Sequence, residues 1–282
     1  MKRTAILLIS ILMTVMSWGQ AQINTKKVKI SDFTQKITKV VLTGNGFLDS
    51  TLQDEVTSRW RVSPYEFCSM EEFEQLKTDK EYYFLISTSG QFKEESNPSI
   101  QFLTLVKGGQ EAKKGIDEML EIVSLPISPA DVPSGRELIF MPAFLDIIQN
   151  HALRAMENDI NAYAGLSNST ERLSRKGDAR ILLSNDDIYG EADAELMKSL
   201  TEKGVMFADE EEADEAFNDE SVKTIVSYVV APDSAEIGSF CYKMLIDSQN
   251  HALYYFKRHR ISKKNGKGFL QDDLKHINSS LK

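Results

Sequence analysis

The chain has 282 residues, 41% of them hydrophobic and 27% charged, which suits two ordinary globular domains. This composition excludes wholesale disorder and a polytopic membrane protein, and two cysteines are too few for a disulfide-rich scaffold or a multi-cysteine metal site. The net charge of −9 argues against a nucleic-acid-binding surface.

Residues 1–21 predict a secretory signal peptide. Lys2 and Arg3 form a short basic start, an apolar run reaches Trp18, and small residues lead to a cleavage site near Ala21. The run is shorter than the roughly 20 residues that span a bilayer. We therefore expect a secreted or periplasmic mature protein with no transmembrane segment.

The first of two predicted α/β modules covers residues 22–110. A buried strand at 39–45 precedes a helix whose apolar residues recur every fourth position from Leu48 to Trp60. A strand near Val62, a helix with a capping box at Ser69, and strands at 82–87 and 100–106 follow. The order of these elements is βαβαββ.

Residues 111–177 predict a helical insert and linker between the modules. Residues 114–123 have helical spacing, and Pro126, Pro129 and Pro133 break the chain after them. A long helix is expected over 136–164, with a kink or a late start at Pro142.

The second predicted module, residues 178–282, repeats the first at an offset of about 140 residues. Its strands are expected at 180–186, near 205, at 225–230 and at 240–246, with helices at 188–200 and 209–217. Residues 252–258 predict an antiparallel partner for 240–246, and a last helix follows at 269–281. The fold class is thus α/β, with α+β as the alternative, and the two modules pack around mixed sheets.

The second module resembles a known class of envelope domain. Its strand Leu245-Ile246-Asp247, the turn after it and the strand Ala252-Leu253-Tyr254 are similar to small modules of the cell envelope. Examples are the amino-terminal domain of the Tol translocation protein and the curli-secretion lipoprotein. This resemblance, over residues 178–262, implies assembly and partner contact rather than catalysis.

Two adjacent aspartates, Asp186 and Asp187, follow the first strand of the second module. Residues 180–187 resemble the start of the stationary-phase survival nucleotidases, and residues 229–233 resemble their second strand and loop. The resemblance implies a divalent metal bound by Asp186 and Asp187, and no other cofactor is expected. The alternative is that these aspartates only form a turn and cap a helix.

Four other residues are candidates for contact with a ligand or partner. Asn45 and Asn185 occupy corresponding strand ends, whereas Tyr83 and Tyr255 lie within aromatic triplets on predicted strands. Because strand side chains alternate between faces, one ring of each triplet is expected to be exposed, and core burial is the alternative.

Three further patterns lead to hypotheses. An oxidising compartment permits a disulfide between Cys68 and Cys241, with two free buried thiols as the alternative. The sequence Gln-Asn-His-Ala-Leu occurs at 149–153 and again at 249–253, and we interpret the match as coincidence. An acidic run at 209–220 and a basic run at 257–267 raise the possibility of head-to-tail self-association.

The leading functional hypothesis is a non-enzymatic envelope protein that binds a protein partner or a small ligand in a groove between its modules. One alternative is a metal-dependent phosphoesterase that uses Asp186 and Asp187. The other is the subunit of a homo-oligomeric envelope scaffold.

Overall fold

The computed structural model describes residues 26–92, 95–132, 134–219, 221–234 and 237–281. The predicted signal peptide and its cleavage site lie outside these residues. Within the ranges given, no helix is both long enough and apolar enough to cross a membrane.

The first sheet contains five strands in the order β2-β1-β3-β4-β5. Strand β1 is parallel to β2 and β3, and β4 is antiparallel to β3 and β5. The strands are β1 (Ile37–Leu42), β2 (Tyr65–Ser69), β3 (Tyr82–Gly90), β4 (Ile100–Lys107) and β5 (Leu120–Pro129).

The helices of the first half begin at sites that the sequence marks. Asn45 caps one helix, where its side chain accepts a hydrogen bond from the Leu48 amide, and Ser69 with Glu72 forms the predicted capping box. Pro142 lies in the first turn of a helix that starts at Met141, a position that tolerates proline. The helix predicted over 136–164 starts at Arg136 but is interrupted at Phe140 and again at Asn158. The helices are α1 (Lys26–Ile30), α2 (Gly46–Arg59), α3 (Met70–Leu76), α4 (Arg136–Ile139), α5 (Met141–Glu157) and α6 (Asp159–Ala164).

The second sheet has the same topology, in the order β7-β6-β8-β9-β10. Again the first strand is parallel to its two neighbours and the last two pairings are antiparallel. Its elements are β6 (Arg180–Ser184), α7 (Ala194–Glu202), β7 (Val205–Ala208), α8 (Glu210–Asn218), β8 (Thr224–Val230), β9 (Phe240–Asp247), β10 (Leu253–Arg260) and α9 (Gln271–Ser280).

The prediction of a helical insert is wrong in its first part. Residues 110–118 form short 3-10 turns, and β5 follows and pairs with β4 along its length. Helix α5 then follows β5 as α9 follows β10, so both modules have the order βαβαβββα. Pro126 and Pro129 do not prevent a strand here because β5 lies at the edge of its sheet.

Helix α5 joins the two modules into one core. Together with α2 it covers one side of the first sheet, and α3 covers part of the other side. The Phe144 ring of α5 also contacts Tyr228 of the second sheet, 5.3 Å between centroids. The Tyr228 hydroxyl donates a 2.5 Å hydrogen bond to the Ile127 carbonyl in β5. Helix α8 packs on this same side of the second sheet, and α7 and α9 cover its far side.

The two cysteines are free thiols, so the disulfide hypothesis is wrong and its alternative is correct. Cys68 lies in β2 beneath α3, whereas Cys241 lies in β9 in a separate apolar cluster of the other module. Burial raises the pKa of each thiol to about 11, so both are protonated and poorly reactive near neutral pH.

Candidate functional site

An open groove of about 870 Å³ lies over the part of the first sheet that α3 leaves uncovered. The short helix α3 and the turn after β4 cover Phe84, Ile86 and Val106 of this side. Beyond them the sheet surface forms the floor of the groove. Its walls come from the segment after α6 and from Tyr242, Phe256 and Arg258 in β9 and β10, so both modules contribute.

Three hydroxyl groups form a hydrogen-bonded row across the floor of this groove. Thr88 Oγ1 lies 3.0 Å from Thr104 Oγ1, which donates to Ser124 Oγ at 3.1 Å. The residues come from β3, β4 and β5, three adjacent strands. The corresponding side of the second sheet carries the apolar residues Val226 and Ile246, both fully buried in the core shared with α5.

Aromatic rings and balanced charges surround the hydroxyl row. Phe102 lies close over Gly90, where a Cβ atom would come within 2.6 Å of the ring, so any other residue would require the ring to shift. Other rings at the groove are Phe73, Phe92, Tyr163, Tyr242 and Phe256. The charged side chains of the lining are the basic Lys26, Lys77 and Arg258 and the acidic Glu74, Asp117 and Glu121.

The aspartate pair lies elsewhere, and its two members have different environments. Asp187 is 3% exposed, whereas Asp186 is exposed to solvent. Asp187 accepts a 2.6 Å hydrogen bond from the Ser227 hydroxyl and forms an ion pair with Arg136 Nη1 at 3.4 Å. Burial raises the pKa of Asp187 to about 6, although Arg136 acts in the opposite direction.

Arg136 lies against the carboxylates that surround Asp187. Its guanidinium also binds Asp214 at 2.9 Å and Glu210 at 3.2 Å, and it lies 5.0 Å from the centre of the Tyr228 ring. Arg136 thus forms ion pairs with three carboxylates near the end of β6. Across the described parts of the chain, no group of three histidine, cysteine or acidic side chains is placed to hold a metal ion.

The four residues predicted to contact a ligand or partner do not come together in the structure. Asn45 and Asn185 are exposed at the ends of β1 and β6, in different modules. Tyr83 and Tyr255 are buried, so for these two rings core burial is correct and exposure is wrong. Each donates a 2.6 Å hydrogen bond to an aspartate that also binds a lysine, because a buried phenol needs a polar partner. The two networks are Tyr83–Asp32–Lys107 and Tyr255–Asp273–Lys243.

The two copies of Gln-Asn-His-Ala-Leu meet in space, which the sequence analysis did not anticipate. One lies on α5 and the other in the turn before β10, and both line a small cavity of about 60 Å³. His251 Nδ1 lies 2.6 Å from Asp146 Oδ2, and His251 has a positive φ of 54°. His151 Nδ1 lies 2.7 Å from Ser169 Oγ. The identical five-residue sequence at 149–153 and 249–253 was the signal that could have predicted this proximity.

Comparisons with protein-family models, curated proteins and solved structures find no match to this chain.

Proposed function

We propose that the protein binds a neutral ligand with polar and apolar faces in the groove, and that it does so without transforming it. The row formed by Thr88, Thr104 and Ser124 carries this proposal. In the second module the corresponding side is apolar and buried around Val226 and Ile246. In the first module it is polar and faces a space shared by both modules.

Hydroxyl groups suit this role because each one both donates and accepts hydrogen bonds and rotates to fit its partner. In the absence of a ligand the three hydroxyl groups bond to one another, so each of them has a hydrogen-bond partner. A sugar or amide ligand would exchange these bonds for its own. Its apolar faces would contact Phe102 and the neighbouring rings.

The charges of the groove favour a neutral ligand over an ion. Basic and acidic side chains are equal in number around it, so no large net field selects either sign. The hydroxyls of the row also bond to each other rather than to a base that would make one of them a nucleophile. Binding is therefore the activity that this arrangement supports best.

We infer that the protein acts after export, in the periplasm or outside the cell, where its ligand or an envelope partner would meet it. The pattern of residues 1–21 supports this inference. The phosphoesterase alternative gains no support from the geometry, since Arg136 already neutralises Asp187. The scaffold alternative remains a hypothesis that the following experiment separates from ligand binding.

Native mass spectrometry of the protein isolated from its own compartment, with a denatured control, tests the proposal. We expect a discrete small excess of mass that is lost in Ser124→Trp, which fills the groove, and in Thr104→Val, which only removes the central hydroxyl. Thr201→Trp, on the exposed surface of α7, is the matched control and should retain the excess. An excess that survives both groove variants contradicts the proposal, and an excess equal to whole chains would favour a scaffold.

A further inference from the structure

The two sheets end in equivalent edge strands, β5 and β10, which differ in their proline content. Strand β5 contains Pro126 and Pro129, which have no N–H group to offer a neighbouring strand. Strand β10 is eight residues long and contains no proline. A long edge strand without proline presents unpaired backbone groups to any extended segment that reaches it.

The chain itself begins to pair with this edge and then leaves it. The Glu171 amide donates a 2.7 Å hydrogen bond to the Leu253 carbonyl, the first carbonyl of β10. The chain then turns away into a 3-10 turn at Leu173–Arg175. Among the described residues, no backbone hydrogen bond from outside the sheet reaches residues 254–258.

An open groove of about 810 Å³ lies along this free edge. Four consecutive residues of β10, numbers 254–257, line it, as expected where a strand presents its backbone edge. Residues 170–174 form one wall, and His276 and Ser280 of α9 form the other. This groove and the one over the first sheet share Ser167 and Phe256, but their floors belong to different sheets.

The charge along the edge is positive. Arg172 and Lys257 line the groove and are exposed, and within the described chain neither forms an ion pair with a carboxylate. The acidic side chain in the lining, Glu171, is already bound to Arg154 at 2.7 Å. Arg258 and Arg260 extend the basic character toward the end of the strand.

We propose that β10 docks an extended acidic segment of another protein, which adds to the second sheet as a further strand. The backbone of β10 supplies the hydrogen bonds, and Arg172 and Lys257 select acidic side chains. A second copy of this chain does not fit, because its own β10 is basic and its acid-rich run at 209–220 is mostly helical in α8. This docking surface adjoins the ligand groove at Ser167 and Phe256, but the proposal does not rest on ligand binding.

The test uses a fluorescein-labelled peptide of about eight residues, a common strand length, in which Glu alternates with Thr or Val. Two control peptides replace Glu by Lys or carry N-methyl groups on every second amide. The protein variant Arg172→Glu/Lys257→Glu reverses the charge of the groove. Its matched control, Lys263→Glu/Lys264→Glu, makes the same change of charge at exposed residues beyond the strand.

We expect the acidic peptide to raise fluorescence anisotropy on binding and to slow hydrogen exchange at the amides of residues 254–258. The groove variant should bind about tenfold more weakly, since two favourable cross-strand pairs become unfavourable, and the control variant should bind as the native protein does. Lack of binding, or equal binding of the Lys peptide, overturns the proposal. Equal binding of the N-methylated peptide also overturns it, because charge alone would then explain the association.

Discussion

Arg136 is the cation that compensates two buried carboxylates of the second module. It is 6% exposed and compensates both Asp187 and Asp214. We predict that Arg136→Met lowers the free energy of unfolding at pH 8 by about 3–5 kcal/mol, because it leaves buried carboxylates without a cation. Urea unfolding followed by circular dichroism measures the change.

The same variant should lose less stability in acid. Removal of Arg136 deprives Asp187 of the charge that opposes the effect of burial, so the carboxyl takes up a proton more readily in the folded chain. A carboxyl with a raised folded-state pKa gains stability as the pH falls through that pKa, so the deficit should shrink between pH 8 and pH 5. Arg154→Met is the control, since its half-exposed pair with Glu171 contributes about 1 kcal/mol or less. An equal loss in the two variants would refute the argument.

His151 predicts a pH dependence of the opposite sign. Burial lowers its pKa from 6.5 to about 4, and Lys26 acts in the same direction. The folded state therefore favours the neutral ring, and this contribution is complete above about pH 6.5 and lost as the pH falls toward 4. We expect the stability of the native protein, relative to His151→Gln, to decline by on the order of 3 kcal/mol over that interval. The same measurement on His276→Gln, at an exposed position, is the control, and a decline as large as that for His151→Gln would contradict the prediction.

Sequence reasoning located Asp187 but could not locate what binds it. Arg136 lies 51 residues earlier, just after the missed strand β5, and only the tertiary fold brings the two together. Tyr83 and Tyr255 show the same limit. Alternation along a strand separates two faces, but both faces of these sheets are covered near the tyrosines, so alternation alone could not identify an exposed ring.

At the scale of elements, the order of strands and helices could largely be predicted from the sequence, and the edge strand β5 was the exception. The strands of the second module and the βαβαβ order of the first follow from buried runs and apolar spacing. In β5 two prolines and a preceding helical pattern masked the strand. The error also hid the full equivalence of the modules, since α5 then looked like part of an insert rather than the counterpart of α9.

Helices α3 and α9 provide a matched pair for a prediction about caps. The Asp273 side chain accepts a hydrogen bond from the Leu270 amide at the start of α9 and also binds the buried Lys243 and Tyr255. We predict that Asp273→Ala lowers the free energy of unfolding by about 3–5 kcal/mol, because Lys243 remains as an uncompensated buried charge. Thermal or urea unfolding measures the effect.

The control for that prediction is Glu72→Ala in the capping box of α3. Glu72 makes the corresponding 2.9 Å hydrogen bond to the Ser69 amide but is exposed and holds no buried lysine. Its loss should cost about 1 kcal/mol or less. The double variant Asp273→Ala/Lys243→Met should recover part of the stability, and a double variant less stable than Asp273→Ala would count against the buried charge as the cause.

At the scale of the whole molecule, the shared helix α5 should make the two modules unfold together. Its inner face packs on the first sheet, and Phe144 packs on Tyr228 of the second, so neither module keeps an intact core without it. Two domains linked only by a flexible segment would instead unfold separately. The free thiols report each module, because Cys68 lies in the first and Cys241 in the second.

We predict that Cys68 and Cys241 become reactive at the same urea concentration. A short pulse of a thiol reagent labels only exposed cysteines, and peptide mass spectrometry measures the labelled fraction at each site. Phe144→Ala should shift both midpoints downward together, since a cavity in α5 weakens a core that the modules share, at a cost of about 3–5 kcal/mol. Labelling of Cys241 at a clearly lower urea concentration than Cys68 would show that the second module unfolds alone. Such a result would mean that the contact between Phe144 and Tyr228 couples the modules too weakly to make them one cooperative unit.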